Sequence, residues 1–209
     1  MASSFISQIP GIIYLVKKLN PDKILDIGKG FGKYGFLIHE YCGIDNQVRV
    51  NPEKSLKDQS NILIDAIEVD PDLMLPHLEH IYNKIYFGDI LKIYELFPKY
   101  QLVLMIDIIE HIKKEEAFHL LEHLLKNGSK IIIATPIAFF EQELYKSKFE
   151  NHVSHWKLED FENLANVDVQ YFDAGAVYLL SKNKLDIRGF GNGWIKKVRR
   201  IARAIKNEF

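Results

Sequence analysis

Lys23-Ile24-Leu25-Asp26-Ile27-Gly28-Lys29-Gly30-Phe31-Gly32-Lys33-Tyr34-Gly35 decides how the rest of the 209-residue chain is read. Residues 23–27 have the apolar, β-branched character of a strand, and three alternating glycines follow it into a predicted helix over 31–41. Glycines in that position let the backbone pass close to a ligand, because any side chain there would occupy the ligand's place. The spacing differs from the dinucleotide pattern G-x-G-x-x-G. Asp26 stands two residues before the first glycine, placed to accept a hydrogen bond from a cationic amine.

Outward from this turn, short apolar runs alternate with amphipathic stretches, which predicts a sheet built from βαβ units. The expected strands are 62–69, 84–87, 102–106 and 130–134, and the expected helices are 71–81, 90–96 and 114–126. The last helix stops at Asn127-Gly128. Residues 102–106 (LVLMI) and 130–134 (KIIIA) are almost wholly apolar, as central parallel strands covered on both faces should be. Two alternating runs, 167–172 and 176–181, flank Asp173-Ala174-Gly175 and read as a closing hairpin, so the sheet is mixed. Residues 1–20 read as a helix lying on the domain. The polar, turn-rich stretch 43–61 reads as a surface insertion, a plain loop with a lid as the alternative. Residues 1–185 then form one domain, followed by a glycine hinge and a basic amphipathic helix over 186–209.

Composition narrows the class. Lys+Arg 27 against Asp+Glu 28 gives −1, but residues 194–209 carry +5 and leave −6 on the body, with no evident phosphate track. One cysteine, Cys42, excludes an internal disulfide framework and a Cys-rich zinc site. No apolar run approaches the roughly 18 residues of a membrane span, and the amino end lacks the basic start of a signal peptide. A cytoplasmic protein is expected, with the tail as a means of peripheral attachment to the inner membrane face.

The strand tips carry acids. Glu68, with Asp70 in reserve, is placed at the end of the second strand to take both hydroxyls of a ribose, since a carboxylate is a bidentate acceptor. Asp89, in Gly88-Asp89-Ile90 after the third strand, is placed for an exocyclic adenine amine or as a helix N-cap. Taken together, D-I-G-K-G-F-G, E-V-D, G-D-I and an apolar strand ending D-I-I-E-H resemble the class I S-adenosylmethionine-dependent methyltransferases over roughly residues 20–181. The resemblance implies a Rossmann-like α/β fold with helices on both faces of a seven-stranded mixed sheet in the order 3-2-1-4-5-7-6. It also implies S-adenosyl-L-methionine as cofactor and S-adenosyl-L-homocysteine as product. Carried over residue by residue, Asp26 and Gly28 lie near the methionine moiety, Glu68 holds the ribose and Asp89 the adenine. Gly30, Gly32, Val69, Ile90 and Asp107 complete the expected cofactor-binding set.

The acceptor is expected beyond the carboxyl ends of the fourth and fifth strands, where Asp107, Glu110 and His111 leave one strand and Asn151-His152-Val153-Ser154-His155-Trp156 follows the other. Transfer to oxygen requires a base for the hydroxyl proton, and His111 and His152 are the candidates, with His155 third and Asp107 in support. The same Asp107, Glu110, His111 and His152 offer the ligands of a divalent ion. That alternative resembles the small-RNA 2′-O-methyltransferases, whose first acid is a glutamate, whereas the pattern also resembles methyltransferases of bacterial glycan pathways, where no metal is implied. The expectation is therefore O-methylation of a sugar, glycan or other small polar acceptor, without metal. Metal-assisted RNA ribose methylation and a non-catalytic cofactor-binding scaffold are the alternatives. In the tail, Trp194, Val198, Ile201, Ala202 and Ile205 share a helical stripe among Lys196, Lys197, Arg199, Arg200, Arg203 and Lys206, which suits an anionic membrane surface, the domain itself or a homodimer mate.

Overall fold

The computed structural model describes residues 5–45, 51–138, 151–187 and 190. Seven strands, β1 (Lys23–Ile27), β2 (Leu63–Glu68), β3 (Lys84–Phe87), β4 (Leu102–Ile106), β5 (Lys130–Pro136), β6 (Asn166–Tyr171) and β7 (Gly175–Ser181), form one sheet. Their order is β3-β2-β1-β4-β5-β7-β6, the order the motifs imply. The first five are parallel, and β7 lies antiparallel against β5, with Pro136 opposite Gly175. β6 pairs antiparallel with β7 through the expected hairpin.

Period-two alternation splits the core into two layers. Leu25, Ile27, Val103, Met105, Ile131 and Ile133 face α4 (Lys114–Lys126) and α5 (Leu158–Glu162), where Leu120, Leu121 and Phe161 cover them. Ile24, Leu102, Leu104, Ile132 and Ala134 face α1 (Ile9–Leu19) and α2 (Lys33–Ile38), covered by Ile12, Leu15, Val16 and Ile38. Helices therefore cover both faces, and the strand tips between the layers are left for the site.

Three expectations change. No single helix spans 71–81: prolines force Asp70 and Leu75 into extended backbone, so the stretch breaks into two 3₁₀ turns, Pro71–Leu73 and Pro76–His80. The predicted 31–41 helix is α2 continued by a π-helical turn over His39–Gly43, and the predicted 90–96 helix is α3 (Ile90–Ile93) followed by a 3₁₀ turn. The insertion does not form a lid in its described part. Asn61 N–H donates to Gly43 O, and Ser55 pairs with His80 at 2.8 Å, which fixes residues 51–61 at the amino ends of the strands, opposite the glycine turn. Within it, Gln59 caps the backbone carbonyls of Asn51, Lys54 and Ser55. The tail at 194–209 and most of the glycine hinge lie outside the described residues. Among the described residues, no helix is long and apolar enough to cross a membrane.

Candidate active site

The glycine turn leaves β1 with Gly28 N–H donating to Ile67 O at 2.9 Å, and Gly28, Gly30 and Gly32 all take positive φ (70°, 52° and 81°). What Gly28 and Gly32 make room for is protein rather than open space. A Cβ on Gly28 would stand 2.0 Å from Ile108 Cδ1, and one on Gly32 would stand 2.7 Å from Leu78 Cδ2. Gly32 also caps α2.

Glu68, at the tip of β2, binds this turn. Its Oε1 accepts from Val69 N–H (2.9 Å) and Asp70 N–H (3.1 Å), and its Oε2 accepts from Gly30 N–H (3.2 Å). Three of the roughly four lone-pair positions of the carboxylate therefore hold backbone. Asp70 accepts from Asp72 N–H, and Asp89 caps α3 by accepting from Leu91 N–H at 3.0 Å. Val69 is half-buried at the loop, whereas Ile90 packs into the α4-side core. Asp26 is buried, and Tyr82 Oη donates to its Oδ2 at 2.6 Å. Burial first, then the charge of Glu68, raises its pKa to about 6, against the Tyr82 hydrogen bond and Lys29.

Lys29, inside the glycine turn, makes a buried contact at the site that the spacing did not reveal. It is 5% exposed, and its Nζ donates to Leu73 O at 2.8 Å, tying the turn to the β2–β3 connection. Burial lowers its pKa, while Glu68, Asp26 and Asp70 favour its charged form. A lysine flanked by glycines, beside acids at two strand tips, is the signal that could have found it.

The β4 and β5 tips are different in kind. Asp107 follows β4 with φ 53°, a left-handed conformation rare outside glycine, and its N–H donates to Ala134 O. Both carboxyl oxygens are buried with no hydrogen-bond partner among the described residues. Burial raises its pKa to about 6, opposed by Lys33 at the start of α2. Glu110 lies on the 3₁₀ turn Ile109–His111, ahead of α4 rather than within it. It is 3% exposed and accepts from Thr135 Oγ1 at 3.2 Å. Burial, then the charge of Asp107, pushes it up to about 8, against its backbone hydrogen bond and Thr135.

His111 and His152 come together with a ring-centroid separation of 5.0 Å. His111 Nδ1 lies 3.1 Å from Asn151 O; a carbonyl only accepts, so Nδ1 is the donor, and in the neutral ring Nε2 holds the lone pair. Glu110, His111 and His152 each offer one ligand atom, all within 4.8 Å of one another. Asp107 is outside this group. So is His155, whose Nε2 bonds to Ile137 O at 2.9 Å.

The histidine loop is clamped by backbone. Val153 and Ser154 N–H both donate to Glu110 O, and Trp156 Nε1 donates to Ile109 O at 3.1 Å. Trp156 is fully buried and stacks on Phe161 at 5.2 Å with planes 10° apart, so it anchors the loop in the core.

No protein-family profile and no curated protein matches the chain. Solved structures do. The methyltransferase domain of a bacterial Hen1 (CtHen1-CN) matches 85% of this chain and 100% of its own, at 15% identity and TM-score 0.54. A SAM-dependent methyltransferase from Archaeoglobus fulgidus matches 80% of this chain and 72% of its own, at 18% identity and TM-score 0.56. An O-methyltransferase family protein from Burkholderia thailandensis matches 85% of this chain but only 57% of its own length, at 10% identity and TM-score 0.55. This chain has the class I methyltransferase fold. In that fold the tips just described stand side by side at one end of the sheet: glycine turn, Glu68 and Asp89 on one half, Asp107, Glu110 and the histidines on the other.

Proposed function

We propose that the protein is an S-adenosylmethionine-dependent O-methyltransferase acting on a hydroxyl of a sugar or other small polar acceptor. The convergence of Glu110, His111 and His152 beside the glycine turn carries this reading. The donor lies over Gly28–Gly32, its ribose near Glu68 and Val69 and its adenine near Asp89 and Ile90. Asp26 and Asp107 face the methionine end. In the transfer, the acceptor oxygen forms a bond to the methyl carbon as the carbon–sulfur bond breaks in line. The hydroxyl proton passes to His111 Nε2, and S-adenosylhomocysteine leaves. Asn151 O fixes the tautomer that makes Nε2 the base. Positioning of the acceptor hydroxyl against His111, on loops that Glu110 O and Ser154 tie together, supplies the rest of the rate.

The same convergence supports a second reading, in which a divalent ion sits among Glu110, His111 and His152. An oxygen and two imidazole nitrogens suit such an ion, and its charge would reverse the burial that holds Glu110 protonated. The ion would supply Lewis-acid polarisation of the acceptor hydroxyl.

Titration of S-adenosylhomocysteine into metal-stripped protein, repeated with Mg²⁺ or Mn²⁺, tests both. Binding without metal, together with labelled-methyl transfer to sugar hydroxyls, is the expected result. A separate metal-binding heat that disappears in Glu110→Ala would install the second reading. Absence of S-adenosylhomocysteine binding in every condition would overturn both.

A further inference from the structure

A cavity of about 600 Å³ opens next to the histidine pair. Its walls come from the two segments that carry the cluster, just past His111 (Lys113, Lys114) and just past His152 (Val153–His155, then Lys157, Glu159 and Asp160). The segments cannot separate easily, because Glu110 O accepts from both Val153 and Ser154, and Ser154 Oγ donates to Ile109 O at 3.1 Å. Cavity and histidines are thus two ends of one rigid assembly.

Its charge is the reverse of the body's. The body carries an excess of acids, yet three lysines and His155 line this wall. Asp160 is already satisfied at both oxygens: Oδ1 by Lys114 Nζ at 2.7 Å and Oδ2 by Lys157 N–H at 2.8 Å. Lys114, held over the Trp156 ring at 5.3 Å, is therefore neutralised. That leaves Lys113 and Lys157, exposed and in no ion pair among the described residues, against the single carboxylate of Glu159, which itself has an interaction partner. Lys113 also stands at the N-cap of α4.

Resting on the O-methyltransferase reading above, we infer that this cavity is an anion subsite, and that the acceptor carries a phosphate ester near the hydroxyl to be methylated. The hydroxyl sits at His111, and the phosphate sits between Lys113 and Lys157. Two lysines lining one cavity suit a phosphate, which takes several charge-assisted hydrogen bonds at once.

The test uses the full chain and the exposed double variant Lys113→Ala/Lys157→Ala, with Lys113→Glu as a second variant in case the double change perturbs the loop. Inorganic phosphate and S-adenosylhomocysteine are titrated separately into each. The wild type should bind phosphate, and both variants should lose at least about tenfold in that affinity, a loss of the size expected for charge-assisted bonds. S-adenosylhomocysteine binding should be unchanged. Steady-state transfer to a hexose phosphate, its unphosphorylated sugar and a short oligoribonucleotide with a free 3′ end then separates the sources of phosphate. A raised KM with unchanged kcat in the variants, for whichever phosphorylated acceptor is used, is expected. Phosphate binding that is absent in the wild type or unaffected in both variants, or a wild-type preference for the unphosphorylated sugar, would overturn the subsite. The donor titration is independent, so its failure alone would instead remove the methyltransferase reading.

Discussion

The two halves of the strand-tip surface treat their polar groups in opposite ways. On the donor half, every acid is answered by nearby protein: Glu68 by three backbone N–H groups, Asp70 and Asp89 by their own turns, Asp26 by Tyr82. On the acceptor half, Asp107 keeps two buried oxygens unanswered among the described residues, in a left-handed backbone, and Glu110 is held protonated toward neutral pH. The first arrangement is a finished mould. The second stores an electrostatic cost of the sort that a ligand, a proton or a cation relieves.

The largest test of this contrast is His111→Ala. Loss of a positioned base should lower the transfer rate by roughly 10²–10⁴-fold while calorimetry shows S-adenosylhomocysteine affinity intact; equal loss of both would merge the halves. Next comes Gly28→Ala, which forces a positive φ on alanine and a collision with Ile108. It should cost roughly 2–4 kcal/mol of stability in denaturant melts, and Ile108→Ala in the same chain should recover part of it. If Gly28→Ala melts like the wild type, the donor half is not the rigid mould described.

A smaller effect is set by pH. Asp26 has a folded pKa raised from 3.8 to about 6, so the stability it contributes is complete below the unfolded value and is lost as pH rises through about 6. A cationic donor amine prefers the charged form, so S-adenosylhomocysteine should bind about tenfold more tightly at pH 7 than at pH 5, and Asp26→Asn should flatten the profile. A profile that stays steep in the variant would assign the titration elsewhere. The smallest effect is expected from Asp107→Asn, which tolerates the left-handed backbone and removes a buried charge. It should raise stability by about 1 kcal/mol and still reduce transfer, as melts and a methyl-transfer assay run in parallel would show; a destabilised variant would mean that Asp107 has a structural partner.

The fold was legible wherever one physical signal dominated. Strands 23–27, 84–87 and 102–106 and the helix at 114–126 match to the residue, because apolar runs and a Gly stop leave little choice. The stretch 71–81 misled because its apolar spacing is helical while Pro71 and Pro76 forbid a continuous helix. That break has a second consequence, since Tyr82, the partner of Asp26, lies just beyond it and no local pattern ties the two together. In the site, residues at strand tips could be named from topology alone, and Glu110, His111 and His152 do meet. Lys29, Lys33 and Thr135 could not, since each acts through a contact made only in three dimensions. His155 and Trp156 show the limit from the other side: adjacent in sequence, one ties back to Ile137 and the other anchors the core.

The clamp between the β4 and β5 loops gives the chain a modular seam. Ile137 is pinned twice, its N–H to Ala174 O and its own O to His155, and Asn151 is pinned by His111. Ile137 and Asn151 are therefore both held by bonds between described residues, and those bonds keep the histidine pair in place. A change at either residue would be felt at His111 and His155 before it reached the strands beneath them.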